Sequence, residues 1–198
     1  MKRTFLFFKK DEVVTPGARG VTLVETLVVL ALFVLISGFL VSLTIQYNSL
    51  YNLGEAQFVT VDDTRTVLNS ISVYTVQAYR VAGSHTISGT LYTSGTSTLV
   101  VQIPAVSANG DIVASTWDYV AFYKTGNNVY RRVDANANSS RASGLRQLGS
   151  AITSLTFTYN NASTTLATQV SVDVQSSSTI GHVAANHHET ANLILRNF

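Results

Sequence analysis

The chain has 198 residues, of which 46% are apolar and only 12% charged, against about 25% charged in an ordinary soluble domain. Its net charge of +2 is uneven: residues 1–20 hold Lys2, Arg3, Lys9, Lys10 and Arg19 against Asp11 and Glu12, and the remainder is slightly acidic. This excludes an overall basic tract for nucleic acid. The absence of cysteine excludes a disulfide framework, thiolate metal sites and a thiol nucleophile. A membrane-associated or assembly-bound protein is favoured from the outset.

In chain order, the first element is a basic leader ending in Pro16-Gly17-Ala18-Arg19-Gly20, a breaker-rich stretch expected to be extended and open to a protease. From Thr26 to Gly54 no residue is charged over 29 positions, and Leu27 to Leu43 is dominated by Leu, Val, Ile, Phe and Ala. Val21 to Ile45 as a helix measures roughly 37 Å, enough to cross a hydrocarbon core of about 30 Å with some tilt. Tyr47 and Tyr51 follow at the place of an interfacial aromatic belt, and the basic leader marks the cytoplasmic side. An ordinary cleaved signal fits poorly, because no small-residue site closes the apolar run.

Glu25 lies near the start of this segment with no neighbouring cation in the sequence. Two readings are open. A carboxylate carried into the apolar layer is costly unless paired, which marks a functional site. Alternatively it occupies the first turn of a helix, favoured by the helix dipole.

Arg19-Gly20-Val21-Thr22-Leu23-Val24-Glu25 resembles the class III signal of type IV prepilins and type II secretion pseudopilins. The resemblance covers residues 1 to about 50. It implies cleavage by a prepilin peptidase after Gly20, methylation of the new terminal amine on Val21, and an assembly role for Glu25 as the fifth mature residue. Val21 departs from the usual phenylalanine, and the apolar helix lacks the proline of many major pilins, leaving Gly38 and Asn48 as its weak points. The physics suits the implied mechanism: a Val21 ammonium and a neighbouring subunit's Glu25 are each costly alone and acceptable together.

Glu55 to Val81 reads as a continuing helix with Phe58, Val61, Leu68, Ile71, Tyr74 and Ala78 as its apolar stripe, stopping near Ala82-Gly83-Ser84. Beyond residue 85 the period changes to two. Leu99, Val101 and Ile103, then Leu155, Phe157 and Tyr159, then Val170, Val172 and Val174 alternate as half-buried strands. Trp117 to Lys124 and Asn128 to Val133 flank a Thr125-Gly126-Asn127 hairpin turn, and Thr190 to Arg196 supplies a last strand. The expected fold is α+β: a long N-terminal helix, half membrane-spanning and half amphipathic, packed on an antiparallel β-sheet head. The expected divisions are a leader over 1–20, a transmembrane helix over 21–50, its amphipathic extension over 51–82 and the head over 83–198. The runs Trp117 to Tyr123, Val129 to Arg132, Leu145 to Tyr159 and Leu193 to Asn197 also look like the heads of minor pilins and J-type or W-type pseudopilins.

Candidate chemistry in the head is sparse. Asp134-Ala135-Asn136-Ala137-Asn138-Ser139 begins like an EF-hand calcium loop, but Ser139 replaces the turn glycine and Leu145 the bidentate glutamate. His182, His187, His188 and Glu189 lack helical i, i+4 placement and read as a surface loop. No G-x-S-x-G, P-loop or G-x-G-x-x-G occurs, so no enzymatic activity, cofactor or metal is expected. Arg131, Arg132, Arg141 and Arg146 cluster in sequence and read as a salt-bridged or solvated rim, of which Arg131, Arg132 and Arg141 would be offered to the next subunit, with no aromatic-basic platform for nucleic acid. The expectation is a single-pass minor pilin or pseudopilin of a pilus, secretion or competence machine, its leader in the cytoplasm and its head outside. Its partners are the prepilin peptidase, other pilin subunits and, before assembly, membrane lipid. The rival is a membrane-tethered adhesin displayed through a pilin-type signal.

Overall fold

A computed structural model describes residues 20–196, so the expected leader, apart from Gly20, and Asn197 lie outside the described residues. Among the described residues one α-helix, α1 (Leu23–Val76), is followed by ten strands and a short 3-10 turn (Thr164–Leu166) between the eighth and ninth: β1 (Arg80–Val81), β2 (Ser84–Ile87), β3 (Thr90–Thr93), β4 (Thr98–Val106), β5 (Ile112–Thr125), β6 (Asn128–Asp134), β7 (Gly144–Gly149), β8 (Ile152–Tyr159), β9 (Gln169–Ile180) and β10 (Val183–Ile194). The chain divides into two units, Met1–Gln46 and Tyr47–Phe198. The second half of α1 therefore belongs to the unit that holds the sheets. All strand pairs are antiparallel, in a five-stranded sheet ordered β1-β4-β5-β6-β7, a three-stranded sheet ordered β10-β9-β8 and the β2-β3 hairpin. The α+β class expected from the sequence is the class observed.

In the second unit, Val67, Leu68 and Ile71 of α1 share one core with Leu99, Val101, Ile103, Val120 and Phe122 of the large sheet and with Leu155, Phe157, Val170, Val172 and Val174 of the smaller one. Phe122 and Phe157 are the largest fully buried side chains, each stabilising the fold by about 1.5–3 kcal/mol relative to exposure. Leu68 and Ile71 of the expected helix stripe are buried and Tyr74 packs on the core, but the stripe departs from the expected one towards its N-terminal end. Its buried positions are Ala56, Thr60, Thr64, Val67, Leu68, Ile71 and Thr75, whereas Phe58 is 71% exposed. Small side chains let the helix approach the β9 backbone, and the Thr60 and Thr64 hydroxyls are satisfied on the way. Thr60 and Thr64 donate to the helix carbonyls of Gln57 and Thr60 at 2.9 and 2.8 Å, and Ser176 of β9 donates to the Thr60 carbonyl at 3.0 Å. Hydropathy alone ranks Phe58 above Thr60 and so misplaces the buried face at that turn.

The helix also stops at Val76, short of the expected Val81, because strand pairing competes with it there. The Tyr79 N–H donates to the Gln102 carbonyl at 2.9 Å, and Val81 pairs with Val101 at the edge of β4. Ala78 is buried as expected but lies beyond the helix.

Strand β4 is buried on both faces, where alternation predicts one. Leu99, Val101 and Ile103 face the main core, and Val100 joins Ala121, Ile87 and Tyr92 in a second cluster under the β2-β3 hairpin. That hairpin turns on Ser88-Gly89, both with positive φ, as a two-residue type I′ turn requires. The expected turn between β5 and β6 is present as Gly126-Asn127, with Gly126 at φ 60° and Thr125 opposite Asn128. The expected histidine loop is instead strand: β9 and β10 pair without a break from Ile180 and Val183 to Gln169 and Ile194. The histidines and serines there suggest a loop, but the ladder continues because the inward-facing backbone groups of β10 find partners on β9 along its whole length. Gly181 turns it at φ 62°, with the Asn52 amide 2.7 Å from where a Cβ would sit.

Candidate functional site

The start of α1 carries the residues singled out by the prepilin-like signal. Gly20, Val21 and Thr22 precede the helix in non-helical backbone, and Glu25 lies in its first turn. The Thr22 Oγ1 accepts the Glu25 N–H at 3.3 Å, and the Thr26 hydroxyl donates to the Leu23 carbonyl at 3.0 Å. Thr22-Leu23-Val24-Glu25 thus has the Thr-x-x-Glu spacing of a capping box, which satisfies one of the helix's free N–H groups. That spacing is visible in the sequence, and Thr22 is a local determinant the motif reading passed over.

Among the described residues nothing requires glycine at position 20. A Cβ there would meet none of the described residues within 4 Å. Val21 is 68% exposed and Glu25 is exposed beside it. Peptide bond, following residue and carboxylate are all accessible.

Through the first unit, α1 presents apolar side chains on every side, including Leu27, Leu30, Phe33, Leu35, Phe39 and Leu40. Its most apolar window is entirely unburied, and it is long and apolar enough to cross a membrane. Two of its polar side chains are closed internally: the Thr44 hydroxyl donates to the Leu40 carbonyl at 2.9 Å, and Gln46 reaches the Ser42 hydroxyl at 3.5 Å. Internal satisfaction of polar groups is what a hydrocarbon surrounding demands. The helix passes unbroken through Gly38 and Asn48.

In the second unit the four sequence-clustered arginines go to different surroundings, correcting the single rim expected of them. Arg141 donates to the fully buried Asp118 carboxylate at 2.8 Å. Arg132 reaches the Tyr92 hydroxyl at 3.3 Å, on the hairpin-covered face. Arg131 lies over the Tyr74 ring of α1, with Arg146 opposite it in the β6-β7 register. Strand alternation separates adjacent residues onto opposite faces, which a count along the chain does not reveal.

The calcium-like loop is organised by a residue outside it. Asp118 accepts the Asn136 N–H at 2.8 Å and the Ser139 hydroxyl at 2.7 Å in addition to Arg141. Asp134 is paired with His85 at 2.9 Å, whose ring stacks on Tyr119 at 3.6 Å. On β10, His187 and His188 diverge to different carboxylates, Glu189 at 3.6 Å and Asp173 at 2.5 Å. The hydrogen bond from His188, joined by that from Thr190, holds the Asp173 carboxyl below the usual carboxylate range. Among the described residues no three His, Asp or Glu side chains converge as metal ligands would. Asp118 is the residue the motif reading missed, since nothing local ties it to partners about twenty positions away.

Together these features define a protein with one long apolar N-terminal helix whose second half packs on antiparallel sheets, a pilin-like helix-plus-sheet arrangement. No protein-family model, curated protein or solved structure matches the chain.

Proposed function

We propose that the chain is a minor pilin or pseudopilin, a structural subunit of a type IV pilus or of a type II secretion or competence pseudopilus. The observation that carries this reading is the position of the Gly20-Val21 peptide bond. It sits, exposed, immediately before a capped helix whose first unit is apolar on all sides, with Glu25 in the first turn. A prepilin peptidase cuts after Gly20, and that no described residue crowds a side chain there is compatible with selection of glycine by an outside enzyme. The Val21 α-ammonium so released meets Glu25 of a neighbouring subunit when the apolar helices bundle, and the two charges leave water as a pair. Packing in the bundle replaces lipid by protein along residues 21–46. The sheet-bearing unit stays outside the cytoplasmic membrane and acts through protein contacts, with no reaction, cofactor or nucleic acid of its own.

The intact mass of the membrane-extracted protein tests this. It should correspond to loss of residues 1–20, with or without one added methyl group, and replacing Gly20 by a bulky residue should block the cut. Retention of Met1 to Gly20 in cells that contain the peptidase refutes the proposal.

A further inference from the structure

Arg131 of β6 stands directly opposite Arg146 of β7. Like charges in that relation repel, and a sheet normally offsets them with an acid nearby. Here no acidic side chain lines the cleft that the two arginines share with α1. Among the described residues neither guanidinium belongs to an ion pair. The Tyr74 ring, 4.8 Å from the Arg131 guanidinium carbon, supports that group without neutralising it.

Two further atoms are left over in the same place. Arg131 Nε and Ser70 Oγ are both buried and both lack a hydrogen-bond partner. Ser70, Arg131 and Arg146 line one cleft of about 290 Å³, together with Asn69 and Thr66. Buried polar groups are nearly always satisfied, so two unsatisfied ones lining a single cleft call for an explanation. The charge is one-sided: two guanidinium groups beside neutral hydroxyls and an amide, with no anion. What the cleft lacks is an acceptor bearing negative charge.

We propose that this cleft is an oxyanion-binding site, taking a carboxylate or phosphate group between Arg131 and Arg146, with Ser70 donating its hydroxyl. The Nε edge of a guanidinium supplies two parallel N–H donors that match two oxygens of either group. The volume lies just below the range that takes drug-sized ligands, which suits a small anion or the end of an acidic side chain. The site is built entirely by α1, β6 and β7 and stands independently of any processing at Gly20.

Arginine Nε–H resonances of the ¹⁵N-labelled full chain in neutral-detergent micelles test the site. Inorganic phosphate and glutarate are titrated separately at constant ionic strength. The Arg131 resonance should move saturably with at least one of them, while that of Arg80, held by Gln102 at 2.6 Å, stays in place. Movement with glutarate alone assigns a carboxylate ligand, movement with phosphate alone assigns a phosphate, and movement with both assigns the shared oxyanion chemistry. Arg146→Gln should weaken binding roughly tenfold through loss of a charge-assisted hydrogen bond. Ser70→Ala should also weaken it while leaving or raising the urea midpoint, because it removes an unpaired buried hydroxyl. A shift that never saturates, one shared equally by Arg80, or one that survives both substitutions unchanged overturns the proposal.

Discussion

Asp118→Ala tests whether one buried carboxylate organises the 134–143 segment. Asp118 is fully buried and accepts from Asn136 N–H, Ser139 Oγ and Arg141 Nη1 at 2.8, 2.7 and 2.8 Å. Arg141, whose side chain is 21% exposed, also donates to the Pro104 carbonyl. Removing the carboxylate strands a mostly desolvated guanidinium and two donors, a change that costs about 3–5 kcal/mol. With an m-value of about 2 kcal/mol per molar urea, the unfolding midpoint should fall by roughly 2 M at unchanged m. Trp117, the only tryptophan, is adjacent on β5 and packs on Tyr79 with ring centroids 4.7 Å apart, so its fluorescence reports the transition in detergent-solubilised full chain. The Asp118→Ala, Arg141→Ala double variant should lose less than the two single losses added, because the stranded cation is gone. A midpoint shift below about 0.5 M for Asp118→Ala would refute the assignment and reopen the loop to the cation-binding reading of its Asp-x-Asn-x-Asn run.

The remaining predictions concern the helix start, a turn and the alkaline limb of stability. Glu25→Val removes a first-turn acid worth about 0.3–1 kcal/mol to the helix, too little to unfold it; processing and insertion should persist while incorporation into the proposed assembly falls, as quantitative mass spectrometry of sheared filaments or enriched membrane assemblies would show. Normal incorporation of the valine variant would leave Glu25 with the helix-dipole role alone. Gly181→Ala should cost about 1–2 kcal/mol for placing a Cβ at φ 62°, with a further increment from the Asn52 amide that Gly126→Ala, in open space at φ 60°, does not incur; equal urea midpoints for the two variants would remove Asn52 from the account. Burial pushes the Tyr159 hydroxyl up to about 12, and burial together with a hydrogen bond to Tyr92 does the same for Tyr123. Both keep their protons in the folded state above the ordinary value near 10, so their contribution is complete below about pH 10 and is lost as pH rises towards 12. Tyrosinate absorbance should therefore show a late step that Tyr159→Phe diminishes.

What the sequence determined by itself was whatever propagates along the chain. The uncharged run from Thr26 to Gly54 already requires an apolar helix, because no other backbone arrangement satisfies its own hydrogen bonds without water. Gly126-Asn127 between two alternating runs already requires a hairpin, because the chain must enter positive φ there. The Gly20-Val21-Glu25 spacing at the head of the helix is likewise a matter of neighbours in sequence. Tertiary structure decided which face of α1 is buried, because the approach to β9 rewards the small, internally bonded Thr60 and Thr64 over Phe58. It ended the helix at Val76, because an open edge of β4 was there to pair with Val81. It extended β9 and β10 through polar residues, because a ladder's stability lies in partners supplied by the other strand. It also dispersed the arginines, burying Arg141 on Asp118 and leaving Arg131 beside Arg146. Each of these outcomes depends on a contact between residues distant in the chain, whose energy no local pattern encodes.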